Sequence, residues 1–150
     1  MKSRTLKFAV GIVLLAELAT PFCLAAQHTQ YKLIDIGTLG GPASFLTDPG
    51  AGPGELVLNN ASLLAGKANT AAPDPTCSLN CFAYHAFRWD GGLLSDLGTL
   101  PGGTLSEIGS INSRGWISGF SFNGEVDPVT GGFVNHAVLW KSDKMIVRMD

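Results

Sequence analysis

Four side chains in this 150-residue chain combine acid–base chemistry with a place in a recurring motif: Asp35, Asp96, His85 and His136. Paired carboxylates are what glycoside hydrolysis uses, and a histidine can serve as general base. Each, however, returns in matched surroundings. Asp35-Ile36-Gly37-Thr38-Leu39 comes back as Asp96-Leu97-Gly98-Thr99-Leu100, and His85-Ala86-Phe87-Arg88-Trp89 as His136-Ala137-Val138-Leu139-Trp140. An active site needs one asymmetric constellation whose groups hold their protons differently, which recurrence in like context does not supply. The framework reading gives each Asp a turn to cap through its carboxylate and each His a bond to a neighbouring strand. It packs Trp89 and Trp140 between sheets. On that reading no residue is assigned to catalysis, and no cofactor is expected.

Three other groupings invite chemistry. Cys77, Cys81 and His85 stand at a spacing of four, as metal ligands can, but no fourth ligand is evident and the second copy has no matching cysteine. With Cys23 set aside in the N-terminal leader, Cys77 and Cys81 are the two cysteines left. An even count in an exported chain favours a Cys77–Cys81 disulfide, closing a loop too short to gain much entropy. Glu125, Asp127 and Thr130 share the Gly124–Gly132 loop and offer oxygens to calcium, without a recognised ligand pattern. Gly37 to Gly41 is Gly-rich like a phosphate cradle, but it lacks the lysine and the following helix of a P-loop. A solvated hairpin tip and a strand exit into a tight bend, with Thr38 and Thr99 as framework, account for the last two. No metal is expected.

The elements that position these residues come from repetition. Leu58-Asn59 followed by Ala65-Gly66 returns as Ile111-Asn112 followed by Ser118-Gly119, an offset of 53. The histidines are 51 apart, and Gly37 and Gly98 are 61 apart, so the first copy carries about eight extra residues. These fall in the Gly- and Pro-rich stretch Pro42 to Gly54, which predicts a loop. In the second copy Ile108 to Asn112, Trp116 to Phe122, Asn135 to Trp140 and Met145 to Met149 predict four short strands. Asn112 to Gly115 predicts the turn between the first two. Its counterpart Asn59-Asn60-Ala61-Ser62 lacks the glycine and is expected to be less regular.

The N-terminus speaks to compartment. Lys2, Arg4 and Lys7 precede an apolar run from Phe8 to Ala16, and Cys23-Leu24-Ala25-Ala26 offers a small-x-small site cut after Ala25. Residues 1–25 therefore read as a signal peptide, the apolar run falling short of the roughly 20 residues that span a membrane. The expected location is secreted, extracellular or periplasmic. Without the leader the net charge is near −4, and no Lys/Arg cluster remains to bind nucleic acid. After signal removal no membrane segment is expected.

In combination, His-Ala-Phe-x-Trp, Asp-Leu-Gly-Thr-Leu-x-Gly-Gly and Ile-Asn-x-x-Gly-x-x-x-Gly resemble the extracellular repeats of bacteria known as the HAF family. The resemblance covers Tyr31 to Asp150, with Val138 replacing Phe and Ala61-Ser62 replacing the glycine turn. It implies a secreted, repeat-built, propeller-like all-β protein with no assigned catalytic activity.

The copies count as about 31–92 and 93–144, with a third starting near 145–150, about 2.4 units from residue 26 onward. Closed propellers need four or more blades and solenoids about three units. The expectation is thus an incomplete propeller-like array, a partial version of a longer protein. Its expected function is a non-catalytic exported module for surface display, adhesion or binding of carbohydrate or a surface protein. The alternative is a fragment of a multi-blade propeller hydrolase or lyase acting on polysaccharide.

Overall fold

The computed structural model describes residues 31–46, 56–74, 76–77, 79, 81–141 and the backbone of 146–148. The leader, its cleavage site at Ala25 and half of the stretch assigned to a third copy (145, 149 and 150) lie outside these residues. Of the two units into which the chain divides, Ile34–Asp150 holds all the strands. Among the described residues no helix is present, and so none that is long and apolar enough to cross a membrane.

The fold is all-β. A first antiparallel sheet runs in sequence order through β1 (Gly40–Phe45), β2 (Leu63–Pro73), β3 (Phe82–Asp90) and β4 (Leu93–Asp96). A second repeats the plan with β5 (Ser106–Ile111), β6 (Ile117–Val126), β7 (Phe133–Trp140) and the three-residue β8 (Ile146–Arg148). Each sheet is a simple up-and-down meander, and neither closes on itself. The last strand of each sheet lies in what the sequence count gives to the following copy. The stretch predicted as a loop from Pro42 begins instead as strand, because Pro42–Phe45 complete β1 against β2. The rest of that stretch, 47–55, is outside the described residues.

Strand register ties the copies together. Gly66 lies opposite Phe87 in the first sheet, and Gly119 opposite Val138 in the second. A methyl group on Gly119 would run into the Glu107 carbonyl and come within 2.9 Å of the Trp140 ring. On Gly66 it would meet the Phe45 carbonyl and sit 2.6 Å from the Phe87 ring. Each glycine thus lets the first strand of its sheet and a large aromatic close over the second strand. The face of β6 with the smaller residues, Ile117, Gly119 and Ser121, is therefore the one turned into the core.

The Asn turns are equally well formed in both copies, which corrects the expectation for the first. Asn59 Oδ1 accepts from the amides of Ala61 and Leu63 at 2.9 and 3.0 Å. Asn112 Oδ1 does the same for Arg114 and Trp116 at 2.9 and 3.0 Å. Ser62 adopts the left-handed φ of 61° that Gly115 adopts at 78°. The carboxamide supplies enough hydrogen bonding to hold a serine where glycine is the easier residue.

The core lies between the sheets. Ala65 and Ala86 of the first sheet pack with Ile108, Ile111, Ile117, Val138 and Trp140 of the second, and with Leu97 and Leu100 of the connector. The joint is also hydrogen-bonded. The fully buried Ser106 hydroxyl accepts from the Ala86 amide at 2.9 Å and donates to the Gly98 carbonyl at 2.7 Å. The Leu97 amide donates to the Ala86 carbonyl at 3.0 Å, and the Trp140 indole N–H to the Leu97 carbonyl at 3.0 Å. Asn59 Nδ2 donates across the joint to the carbonyl of Asn112, its own repeat counterpart, at 2.9 Å. Lys67 and Glu107 pair at 3.1 Å in a partly buried position between β2 and β5.

Two consequences for stability can be measured by urea unfolding. Asn59→Ala removes three bonds at a buried site and should cost about 2–3 kcal/mol, whereas exposed Asn112→Ala should cost about 1 kcal/mol. Gly119→Ala should cost about 1–3 kcal/mol through overpacking against Trp140. Gly109→Ala, whose methyl would lie 3.7 Å from its nearest neighbour, should stay within about 0.5 kcal/mol of wild type.

Candidate functional site

The Asp90-Gly91-Gly92-Leu93 turn sets the register of β3 and β4 so that Asp96 lies opposite Phe87. His85 is two residues before Phe87, on the same face and diagonal to Asp96. Its Nδ1 lies 3.0 and 2.9 Å from the two carboxylate oxygens. An ionised carboxylate only accepts, so Nδ1 carries the proton and Nε2 is the ring's remaining acceptor when neutral. Partial burial opposes ionisation of Asp96, but hydrogen bonds from His85 and the Gly98 amide, with the charge of His85, outweigh it. Its carboxyl is held below the ordinary value of 3.8.

This pair forms part of the wall of a cleft of about 340 Å³. Leu39, Ala72, Pro73 and Ala83 give it apolar lining, and Thr70, Thr99, Gly103 and Thr104 complete it. The Thr70 hydroxyl donates to the Ala83 carbonyl at 3.1 Å and the Thr99 hydroxyl to the Gly103 carbonyl at 2.9 Å. With their protons so committed, both hydroxyls present lone pairs as acceptors. Thr104 is shared with a second hollow of about 160 Å³ whose wall includes Phe122 and Phe133, packed edge-to-face at 6.3 Å. The result is a short run of hydroxyl, imidazole and carboxylate groups beside apolar and aromatic surface.

The other residues singled out from the sequence are dispersed. Asp35 Oδ1 accepts from the Gly37 amide at 2.9 Å, as Asp96 Oδ1 does from Gly98 at 2.8 Å, each a two-residue turn. Thr38 donates to the Gly41 carbonyl at 2.8 Å, the counterpart of the Thr99 bond. Asp35 is not a wall residue of the cleft, so the two aspartates are not brought together there. The two histidines differ. His136 Nε2 lies 3.2 Å from the Asn123 carboxamide of β6, and His85 on the carboxylate of β4. Their surroundings are thus not identical, as the sequence alone suggested, because each ring meets a residue outside the repeated motif or on a different strand. Trp140 is buried, whereas Trp89 is half-buried.

Cys77 and Cys81 are bonded to each other, their Cα atoms 5.8 Å apart, in the loop from β2 to β3. Asp74 organises the start of that loop by accepting from the Thr76 amide and hydroxyl at 2.8 and 2.7 Å. In the β6–β7 loop, Asp127 Oδ1 accepts from the Val129 and Thr130 amides at 2.7 and 3.1 Å. The Val129 bond, then that of Thr130, lowers its pKa, as suits a carboxylate that caps a turn. No cluster of three or more His, Cys, Asp or Glu side chains suited to a metal occurs among the described residues.

Sequence reasoning did not single out Thr70, Thr104, Pro73, Phe122 or Phe133 as cleft residues. The His85–Asp96 pairing was within reach, since a two-residue Gly-Gly turn fixes which residues sit diagonally across the hairpin.

The depressed pKa of Asp96 has a measurable sign. A group whose folded pKa is lowered stabilises the fold above its unfolded pKa and loses that contribution as pH falls through the folded value. The difference in unfolding midpoint between wild type and Asp96→Asn should therefore shrink as pH drops below about 3.8. A difference that stays flat through the acid range would contradict the assignment. Compared with family models, with curated proteins and with solved structures, the chain shows no match.

Proposed function

We propose that the chain is an exported, non-catalytic repeat module of the HAF type, built of propeller-like sheets, that binds a neutral carbohydrate in the cleft at His85 and Asp96. The observation that carries this reading is the composition of the cleft wall. Sugars present hydroxyls beside apolar C–H faces, and the cleft offers a carboxylate, an imidazole and acceptor hydroxyls beside apolar surface, with the Phe122–Phe133 pair in the neighbouring hollow. Its volume, about 340 Å³, is at the small end of the range for ligand sites.

A binding role is favoured over hydrolysis on two grounds. The Thr70 and Thr99 hydroxyl protons are committed to backbone carbonyls rather than to His85 Nε2, so neither is poised as a nucleophile. Among the described residues, no second carboxylate stands beside Asp96 in the cleft wall, as a retaining or inverting glycosidase would need. The leader-like N-terminus and the Cys77–Cys81 bond are in keeping with export.

The test is a glycan array followed by titration of the best neutral oligosaccharide. His85→Ala and Asp96→Asn should each weaken binding about tenfold or more, equivalent to about 1.4 kcal/mol. His136→Ala should leave it unchanged. Absence of binding to any neutral glycan would overturn the reading, and release of reducing ends from a bound polysaccharide would favour the enzyme alternative.

A further inference from the structure

Among the described residues the joint between the two sheets is used once, and its two halves are found again, less covered, on the outer sides of the two sheets. One half is the leading side of a unit. In the second unit Leu97, Ser106 and Ile108 are buried against the first sheet; their register counterparts Ile36 and Ser44 are half-buried and Leu46 is exposed. The other half is the trailing side. Ala86 and Asn59 of the first unit are buried by the second, whereas their counterparts Ala137 and Asn112 are exposed. The Ala137 amide occupies the place of the Ala86 amide, which Ser106 caps within the internal joint.

The two open halves also match chemically at the one place where the internal joint is ionic. Lys67 of β2 and Glu107 of β5 form the ion pair across it. By strand register the trailing counterpart of Lys67 is Phe120, and the leading counterpart of Glu107 is Phe45. A charge pair inside the molecule is thus replaced by two phenylalanines at the outer ends, Phe45 being 39% exposed. Had only one of the two changed, a lone charge would face an aromatic ring. Both have changed together.

We infer that a second copy of this chain docks head-to-tail, setting the leading side of its first sheet on the trailing side of the second sheet. The contact reproduces the internal joint, with Ser44 in the place of Ser106, Ala137 in that of Ala86, and Phe45 against Phe120 in that of the ion pair. Because the two surfaces differ, the association is heterologous: it propagates into rings or open chains rather than stopping at a two-fold dimer. The inference is independent of which ligand the cleft takes.

Two surface substitutions separate this from any other self-association. Ala137→Arg blocks the trailing side and Phe45→Arg the leading side. With the full chain, sedimentation velocity should show wild type growing with concentration in the micromolar range and each variant remaining monomeric. Mixed one to one, the variants should form a dimer that grows no further, because one open side of each is intact. Recovery of that dimer also shows that both variants are folded. A wild type that stays monomeric, a variant that associates alone as wild type does, or a mixture that fails to dimerise would each overturn the proposal.

Discussion

Strand β3 outruns β4. Pairing between them stops at Phe87 and Asp96, so the amide and carbonyl of Ala86 need partners that their own sheet does not supply. An unpaired buried backbone group costs about as much as a lost hydrogen bond. The second unit supplies both partners, the Ser106 hydroxyl for the amide and the Leu97 amide for the carbonyl. Everything around this point follows. Ser106 can reach the amide because β5 leads its sheet and packs on β2 and β3. Leu97 brings its carbonyl under the Trp140 indole. Gly119 has no side chain to hold that ring away. The repeated motifs are the two sides of this one contact, which explains why Asp-Leu-Gly-Thr-Leu and the Trp of the His-Ala-x-x-Trp run occur in a fixed order.

The strands and turns of the second copy were legible because period-two alternation and Asn or Gly turns are local signals. Ile108 to Asn112, Trp116 to Phe122 and Asn135 to Trp140 fall on β5, β6 and β7. The first copy was harder to read. Ser62 takes a left-handed conformation that sequence assigns to glycine, since the bonds made by Asn59 that hold it there are visible only in three dimensions. The run Gly37 to Gly41 reads as a strand exit into a tight bend, yet Gly41 lies within β1 and has to be glycine because the Thr70 carbonyl closes over it in the β1–β2 pair. Glycine marks close approach as often as it marks a bend, and composition cannot separate the two.

Repetition was the strongest signal in the sequence, and it concealed the cleft. Residues that recur are naturally assigned to framework, yet His85 and His136 have different partners because Asp96 and Asn123 approach them from different strands. The other cleft residues Thr70, Pro73 and Thr104, and the Phe122–Phe133 pair of the neighbouring hollow, belong to no repeated motif. Thr70 and Pro73 stand where the β2–β3 register slips, and Phe122 where the β6–β7 register slips. A framework built from copies and a site built from the departures between copies are compatible. The first fixes the backbone, and the second varies what the backbone carries.

The meander topology bears on how the chain reaches its native state. Within each sheet every strand pairs with the strand next to it in sequence, so each pairing joins chain neighbours. The joint alone demands that residues about forty apart, such as Leu97 and Trp140, come together. Local pairings form faster than distant ones because less chain entropy is lost before contacts compensate. Hairpins in both halves can therefore assemble in parallel, with docking of the two halves as the late, slow event. Substitutions at Ser106 or Trp140 would then chiefly accelerate unfolding, while those in the hairpin turns would slow folding.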